Sequence, residues 1–259
     1  VCSSDLLLLT GALPGSARVS EIILRDMLRL YPTDRVSAFA TVSSTPDDLP
    51  FPVEVHPRLH ERIYRTLPGP AMAVARSIKR RWSYPRYVEA LTEQAVAFAR
   101  EHNAECILAV MNAAPIMSMA AETARRCDVP LLTWVWDPPN YLLREVMKLE
   151  DWIIAPVLDA FGRALAASQR TAVVCEAMGQ HFAERHGATP VLLRHGAVRA
   201  ADMTPRTQPP DPARLIVGLG GSLYAFQAWE ALLAALDAAQ WRIADKAVTI
   251  RVLSQQLRA

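Results

Sequence analysis

The sequence has little net charge and no long apolar run, and each absence excludes a class of protein. Its formal net charge at pH 7 is +2, which is too small to indicate a nucleic-acid partner by electrostatics alone. The leucine run Leu6–Leu9 has four residues, far short of the roughly 20 that a membrane-spanning helix needs. The first residues carry neither a basic segment nor a cleavage site, so no export signal is predicted. We expect a cytoplasmic globular protein that binds no nucleic acid.

Cysteine and histidine show no spacing that holds a metal ion. The four cysteines are Cys2, Cys106, Cys127 and Cys175. They form no Cys-x-x-Cys pair, and we interpret them as buried thiols in a reducing compartment. The six histidines are scattered, with no His-x-x-x-His or His-Glu pattern. The sequence therefore predicts neither a metal nor a bound cofactor.

Residues 1–6 are interpreted as an assembly artefact. The segment Val1–Leu6 has no initiating methionine, and it matches the translation of a common sequencing-adapter oligonucleotide. We therefore exclude it from reasoning about the fold and expect the native strand to begin near Leu7. The underlying nucleotide sequence decides this point.

Strands and helices alternate along the rest of the chain. The strands are predicted from short, almost continuous apolar runs, and the helices from apolar residues at helical spacing. The predicted strands are Leu6–Thr10, Val36–Val42, Pro52–His56, Cys106–Met111, Pro130–Trp136, Thr171–Cys175, Pro190–Arg194, Leu215–Leu219 and Ala247–Leu253. This alternation predicts an α/β fold with a Rossmann-like, doubly wound parallel sheet.

Three local expectations go with this fold. The first helix is predicted to bury a face formed by Val19, Ile22, Ile23, Met27 and Leu30. Prolines that include Pro85 are expected to divide the helical segment 58–103 into two or three pieces. The run Leu215–Leu219 is expected to be a buried strand.

A polar tract rich in proline, residues 198–213, separates two units. Residues 7–197 are predicted to form a complete first domain. The remaining segment, 214–259, has about 46 residues, which are too few to bury an independent core. We interpret it as the first βαβ unit of a second Rossmann-like domain whose remainder is missing; the alternative is a tail that docks on the first domain.

A glycine-bearing turn follows the first strand, where a parallel sheet places its ligand site. Gly11 and Gly15 would let the backbone approach a sugar or a phosphate, and Arg18 could counter an anion. Alternatively, this is an ordinary strand-to-helix turn in which Ser16 caps the helix. The sequence leaves both readings open.

A second glycine turn, containing Gly220, Gly221 and Ser222, follows the strand of the second unit. The run from Gly218 begins like a dinucleotide fingerprint, but Leu223 stands where the third glycine should be. An NAD site is therefore not expected, and a single phosphate contact is.

Two further side chains are candidates because they follow strands. Asp137 places a carboxylate at the end of the fifth strand, where it could bind a hydroxyl group, act as a base or simply cap the next helix. His195 follows the seventh strand and is expected near the cleft between the two domains.

The segment from Arg62 to Arg86 holds seven basic residues and no acidic one, with aromatic residues interleaved. Its part Arg76–Arg86 is predicted to contact an anionic membrane surface, at the inner face of the membrane, or a phosphorylated acceptor. The alternative is a solvated basic face with no partner.

Four motifs taken together resemble the GT-B glycosyltransferases. They are Thr10-Gly11-x-x-Pro14-Gly15-Ser16, Cys175-Glu176-Ala177-Met178, the step His195-Gly196 and the loop Gly221-Ser222. The resemblance extends over nearly all of residues 7–253. It is to the large retaining group, glycosyltransferase family four, which uses nucleotide-sugar donors.

The resemblance implies a two-lobed transferase whose first lobe binds the acceptor and whose second lobe binds the nucleotide sugar as co-substrate, with no structural need for metal. The candidate donor- or acceptor-binding residues are then Gly11, Gly15, Ser16, Arg18, Glu176, Arg194, His195, Gly220, Gly221 and Ser222. Asp137 stands where many members have a histidine that orients the sugar, and it is the catalytic candidate.

The expected function is a hexosyltransferase-type glycosyltransferase that moves a sugar from a nucleotide-sugar donor to a glycan, lipid-linked or small-molecule acceptor. The group's paired glutamates would lie beyond residue 259, so the fragment is expected to be inactive. One alternative is a nucleotide-sugar epimerase of the same architecture. The other is a non-catalytic, two-lobed sugar-binding module.

Overall fold

The computed structural model describes residues 5–16, 18–42, 48–57, 71–194, 211–220 and 226–253, without the side chains of residues 71–82, 226 and 253. The chain divides into two compact units, Val1–Val198 and Arg199–Ala259. Each unit has a sheet of its own.

The first unit is built around a seven-stranded parallel sheet. Its strands are β1 (Leu6–Thr10), β2 (Val36–Ala40), β3 (Val53–Val55), β4 (Cys106–Val110), β5 (Leu131–Val135), β6 (Arg170–Val173) and β7 (Pro190–Leu192). Its main helices are α1 (Val19–Leu28), α2 (Ala71–Glu101), α3 (Ala114–Cys127), α4 (Asp151–Ala167) and α5 (Glu176–His186). The strand order is β3-β2-β1-β4-β5-β6-β7, and every neighbouring pair is parallel. The predicted α/β fold with a Rossmann-like, doubly wound sheet is confirmed.

Alternate residues of the strands feed two hydrophobic cores, one on each face of this sheet. On one face Leu7, Leu9 and Phe39 pack with apolar residues of α2, α3, α4 and α5. On the other face Leu8 and Ala38 pack with α1. Strands that are covered on both faces read as continuous apolar runs, which is why they could be located from the sequence.

The buried face of α1 differs from the predicted one. Ile23, Leu24 and Leu28 are buried, whereas Val19 and Leu30 are exposed. Val19 is the first residue of the helix and Leu30 lies beyond its last, so both extend past the part of the helix that contacts the sheet. Apolar spacing predicted a helix but misplaced the face that it buries.

Helix α2 runs without interruption through Pro85 for 31 residues, so the predicted division at this proline is wrong. An internal proline removes one helical hydrogen bond, and tertiary contacts on both sides of it support the helix here. The Tyr84 hydroxyl lies 3.1 Å from the Ser118 Oγ on α3, and the Tyr87 hydroxyl donates to the Pro57 carbonyl at 3.0 Å. Burial raises the pKa of Tyr84.

Local details at the ends of elements match some predictions and revise others. Gly187 ends α5 in the left-handed region, with φ of 67°, a conformation that favours glycine. Leu6 pairs within the sheet as the first residue of β1, although the artefact interpretation of residues 1–6 concerns the nucleotide sequence and stays a prediction. Cys106, Cys127 and Cys175 form no disulfide in the described part of the chain, and they are half-buried rather than buried.

The second unit is a three-stranded sheet with one helix. Its elements are β8 (Arg214–Gly220), α6 (Phe226–Ala238), β9 (Arg242–Ile243) and β10 (Lys246–Leu253). β10 is parallel to β8, as the predicted βαβ unit requires. It also pairs antiparallel with β9, a strand that sequence patterns did not indicate. The turn between β9 and β10 is made by Ala244 and Asp245, both with positive φ, which is typical of a tight hairpin.

The expectation that Leu215–Leu219 is a buried strand is wrong. Every residue of β8 except Leu219 is exposed, because the described part of this unit offers only α6 and two other strands as cover. Leu236 on α6 and Val248 on β10 are its buried hydrophobic residues among those described.

Candidate ligand site

The strand order of the first sheet indicates where along its edge a ligand would bind. From β1 the chain continues to β2 and β3 on one side, and it then crosses to β4 and the following strands on the other. In open parallel sheets, ligands bind outside the carboxyl ends of the strands at such a reversal. The segments after β1 and β4 therefore form the centre of the candidate site.

Gly11 is held against the segment that follows β4. Its N–H donates to the Asn112 Oδ1 at 2.7 Å. A Cβ at position 11 would lie 2.5 Å from the Ala113 Cβ, which is closer than two such atoms can approach. Glycine is thus required here for contact between the two segments. Asn112, which the sequence reading missed, is the side chain that joins them.

The rest of the turn after β1 is tied to the start of α1. The Gly15 N–H donates to the Glu21 carbonyl at 3.1 Å, and the Arg18 N–H donates to the Glu21 carboxylate at 3.1 Å. The helix is capped at Arg18, so the alternative in which Ser16 caps it is wrong. Ser16 and Arg18 are both exposed to solvent. Their side chains remain accessible, whereas the backbone N–H groups of Gly11, Gly15 and Arg18 are already occupied.

Asp137 follows β5 at the same edge. The short helix after it, Pro139–Tyr141, begins from Pro138 without a side-chain cap, so the alternative in which Asp137 is a helix cap is wrong. Its carboxylate forms no hydrogen bond or ion pair within the described ranges. The residue is exposed, yet partial desolvation of the carboxyl raises its pKa. An exposed carboxylate at this edge of the sheet is suited to accept a hydrogen bond from a hydroxyl group of a ligand.

Glu176 and Arg194 bind each other. The Arg194 Nη2 lies 3.0 and 2.8 Å from the two carboxylate oxygens of Glu176, and its Nε donates to the Val174 carbonyl at 3.1 Å. Glu176 is in the first turn of α5, where a negative charge is favourable. Arg194 is exposed and could contact a phosphate. Its positive charge is already paired with Glu176, however, and this carboxylate would weaken the attraction.

The spacing of the strands decides which of these residues can reach one ligand. Neighbouring strands lie about 4.8 Å apart, so Asp137 is roughly 10 Å from the turn after β1. Arg194, after β7, is roughly 19 Å from that turn on the same basis. One sugar could span the first distance, whereas only a longer ligand would reach the pair of Glu176 and Arg194.

The remaining predicted residues do not contribute to this edge. His195, Gly221 and Ser222 lie outside the described residues. Gly220 ends β8 in the second unit, and a Cβ there would meet no atom within 4 Å. Packing within the unit therefore does not explain why this residue is glycine.

The basic segment is only partly described. Arg86 is exposed, but Tyr84 and Tyr87 pack against the core instead of presenting their rings to a membrane. Among the helices that the structure describes, none combines the length and hydropathy needed to cross a bilayer. In the part of the chain that the structure describes, no cluster of three or more His, Cys, Asp or Glu side chains could hold a metal ion.

By sequence, no protein-family model matches the chain, and no curated protein matches it at a significant level. Similarity to solved structures is found in the fold. The structure of Anabaena HepE in complex with UDP and glucose is 16% identical, with a TM-score of 0.54 over 96% of this chain and 60% of HepE. Our chain thus spans less than two thirds of the length of HepE.

Two other solved structures agree with this result. Phytolacca americana UGT2, complexed with UDP-2fluoro-glucose and pterostilbene, is 9% identical, with a TM-score of 0.52 over 98% of this chain and 72% of UGT2. CalG4, the calicheamicin glycosyltransferase, is 14% identical, with a TM-score of 0.53 over 98% of this chain and 66% of CalG4. At such identities the likeness shows the fold, and that fold is the GT-B type.

Proposed function

We propose that the chain provides the first lobe, and the opening of the second, of a glycosyltransferase that moves a sugar from a nucleotide-sugar donor to an acceptor. The observation that carries this proposal is the site at the reversal of a GT-B-type sheet. There the turn at Gly11, the Asn112 side chain and the exposed carboxylate of Asp137 lie at one edge. The ligands in the HepE and UGT2 structures, which are UDP, glucose and UDP-2fluoro-glucose, support a nucleotide-sugar donor.

In this proposal Asp137 orients the transferred sugar by accepting a hydrogen bond from one of its hydroxyl groups. Ser16 and Arg18, whose side chains are exposed at the turn after β1, border the donor diphosphate or the acceptor. Cationic side chains and helix N-termini stabilise the charge that develops on the leaving diphosphate, so the reaction needs no metal or bound cofactor.

In the same proposal residues 7–197 form the acceptor lobe, residues 198–213 form the linker, and residues 214–259 form the start of the donor lobe.

Four finer parts of the proposal rest on the sequence. Kinship with the retaining family-four group and hexosyl transfer follow from the four motifs, and the solved structures support only the GT-B fold. The acceptor is a glycan, a lipid-linked molecule or a small molecule. Peripheral contact of Arg76–Arg86 with a membrane is tested by sedimentation with liposomes, and binding that does not change with anionic lipid content would dismiss it.

The role of Asp137 is tested in the protein encoded by the complete gene, with UDP-glucose as donor and release of UDP as the measurement. Asp137→Asn keeps the size of the side chain but removes its charge. We expect kcat to fall by about 10- to 100-fold, the range that corresponds to a hydrogen bond to a charged group. Asp159→Asn is the matched control, because Asp159 is an exposed carboxylate on α4. Equal activities of the two variants would contradict the assignment.

The division of labour between the lobes is tested on the 259-residue chain alone. We expect titration calorimetry with UDP-glucose to show no saturation at about 1 mM donor, which corresponds to a binding free energy weaker than about −4 kcal/mol. The chain should also release no UDP. Micromolar binding of the nucleotide sugar by this chain would show that the donor site does not depend on further residues.

A further inference from the structure

Asn112 lies between the two parts of the candidate site. It is the second residue after β4, just as Asp137 is the second residue after β5. β4 pairs with β1 on one side and with β5 on the other. Neighbouring strands are about 4.8 Å apart, so Asn112 is one strand spacing from the turn at Gly11 and one from Asp137. A sugar that extends between them would pass over Asn112.

The contact with Gly11 determines how the amide of Asn112 is turned. The Gly11 N–H lies 2.7 Å from this amide. Only the oxygen of an amide can accept a hydrogen bond from a donor, so the atom that faces Gly11 is Oδ1 and not Nδ2. The NH2 group is therefore on the other side of the amide, and the turn after β1 holds it in that position.

The usual local role of an asparagine at such a position is excluded here. An asparagine close to the start of a helix often caps it with its side-chain oxygen. Helix α3 begins from Ala113 without a side-chain cap, because the oxygen of Asn112 is bound to Gly11 instead. The Asn112 Nδ2 donates to no atom in the stretches that the structure describes. The residue is half-buried, so it is open in part to a ligand.

Asn112 and Asp137 have opposite hydrogen-bonding characters. The ionised carboxylate of Asp137 only accepts, and the NH2 group of Asn112 only donates. A hydroxyl group can do both. Two hydroxyl groups on neighbouring ring carbons of a sugar therefore fit this pair, one donating to Asp137 and the next accepting from Asn112. A phosphate fits it poorly, because its negative charge is repelled by the carboxylate.

We infer that Asn112 binds the transferred sugar and determines, with Asp137, which sugars the site accepts. Its NH2 group donates to the oxygen next to the hydroxyl group that Asp137 binds. The inference rests on the proposed transferase function and adds a substrate class to it, which is a sugar with two neighbouring free hydroxyl groups. Asn112 thus has two roles, since its oxygen joins two segments of the protein and its nitrogen binds the ligand.

The first test separates the two roles in the 259-residue chain. Asn112→Asp keeps an oxygen for the Gly11 N–H but removes the NH2 group, whereas Asn112→Ala removes both. We expect the urea midpoint of unfolding to fall by about 0.5 M in Asn112→Ala and by less than half as much in Asn112→Asp. An equal fall in both variants would show that Gly11 does not depend on this oxygen, and it would overturn the orientation of the amide.

The second test measures transfer by the protein from the complete gene, with UDP-glucose as donor and release of UDP as the measurement. Asn112→Asp and Asn112→Ala both lack the donating group. We expect kcat/KM to fall by about 10- to 100-fold in each, which is the cost of leaving a polar group without its partner. Asn103→Asp is the matched control and should keep the wild-type value, because Asn103 is exposed in the turn before β4, at the opposite edge of the sheet.

Deoxy sugars distinguish the binding of a hydroxyl group from a structural effect. The 2-, 3- and 4-deoxy forms of UDP-glucose each lack one ring hydroxyl group. For one of them, kcat/KM of the wild type and of Asn112→Asp should agree within about threefold, since the oxygen that Asn112 binds is already absent. Asp137→Asn should lose its effect with the deoxy sugar of a neighbouring carbon. If the loss in Asn112→Asp is the same for all three sugars, the inference is wrong.

The outcomes distinguish failure of the inference from failure of the proposed function. If the wild-type protein transfers no sugar, the proposed function fails and the inference fails with it. If it transfers sugar and Asn112→Asp is as active as Asn103→Asp, only the inference fails. The same holds if Asn112→Ala stays active while Asn112→Asp does not, because the cause is then the added charge beside Asp137. Circular dichroism melting curves check that each variant folds.

Discussion

The two sheets of this chain have similar apolar strands but very different burial. All five residues of β1 are buried, and helices cover both faces of its sheet. β8, with the equally apolar run Leu215–Leu219, is exposed at nearly every position. An apolar run therefore predicts a strand. Whether that strand is buried depends on the helices and strands that pack against it.

The difference has a physical consequence for the second unit. β8 is at an edge of its sheet, and its exposed residues include Leu215, Ile216 and Val217. An apolar edge strand can pair with another chain, which is a common route to aggregation. The first unit has enough buried surface for an independent core, whereas the second is expected to depend on further contacts.

The largest expected effect contrasts two leucines on helices. Leu24 on α1 is 1% exposed and Leu232 on α6 is 43% exposed. We expect Leu24→Ala to lower the free energy of unfolding by about 2–5 kcal/mol, because it leaves a cavity in a packed core. Leu232→Ala should lower it by less than about 1 kcal/mol, since helix propensity hardly changes and little packing is lost. Urea unfolding followed by circular dichroism measures both, and equal losses would refute the contrast.

An intermediate effect contrasts two glycines that the sequence assigned to ligand binding. Gly11→Ala places a Cβ 2.5 Å from the Ala113 Cβ, whereas Gly220→Ala meets no atom within 4 Å. We expect the first change to lower the free energy of unfolding by about 1–3 kcal/mol. The second should leave it unchanged or raise it by up to about 1 kcal/mol, because glycine weakens a strand.

A compensating variant sharpens this prediction. In the double variant Gly11→Ala with Ala113→Gly, the atom that blocks the new Cβ is removed. We expect part of the lost stability to return, measured by the same urea titrations. Asn112 Oδ1, at 2.9 Å from the new Cβ, would limit the recovery. If the double variant were no more stable than Gly11→Ala, the clash with Ala113 would not be the cause of the loss.

The sequence predicted those parts of the fold that depend on local pattern. Strands buried on both faces leave continuous apolar runs, so each strand of the first sheet was found to within a few residues. Helix α2 lies within the segment that was predicted to be helical, but its division at Pro85 was predicted wrongly, because contacts of Tyr84 and Tyr87 with distant residues outweigh the local effect of this proline.

The position of the candidate site in the fold could be predicted from the sequence, but the contacts between its residues could not. The ends of β1 and β5 were expected at the same edge of the sheet, and the parallel topology places them there with β4 between them. The contact between Gly11 and Asn112 joins residues 101 positions apart, and no local pattern indicates it. The pairing of Glu54 with His56 was missed for a different reason. Glu54 and His56 are two residues of a short strand, and their contact becomes visible only when that strand is placed beside Phe39.

The smallest expected effect is a dependence on pH that belongs to the first unit alone. Burial against the aromatic rings of Phe161 and Phe182 lowers the pKa of His186 below its ordinary value of 6.5. As the pH falls below 6.5, the unfolded chain takes up a proton before the folded one does. The stability of the folded state is therefore lost below this pH and is fully present above it.

We expect the free energy of unfolding to fall by less than about 1 kcal/mol between pH 7 and pH 5, and this loss should disappear in His186→Gln. His181→Gln, an exposed position on the same helix, is the control and should keep most of the loss, because the charge of His181 is the smallest of the causes that lower the pKa of His186. The second unit contains no histidine, so its own unfolding should not change over this range. An equal loss in the wild type and in His186→Gln would assign the pH dependence to another group.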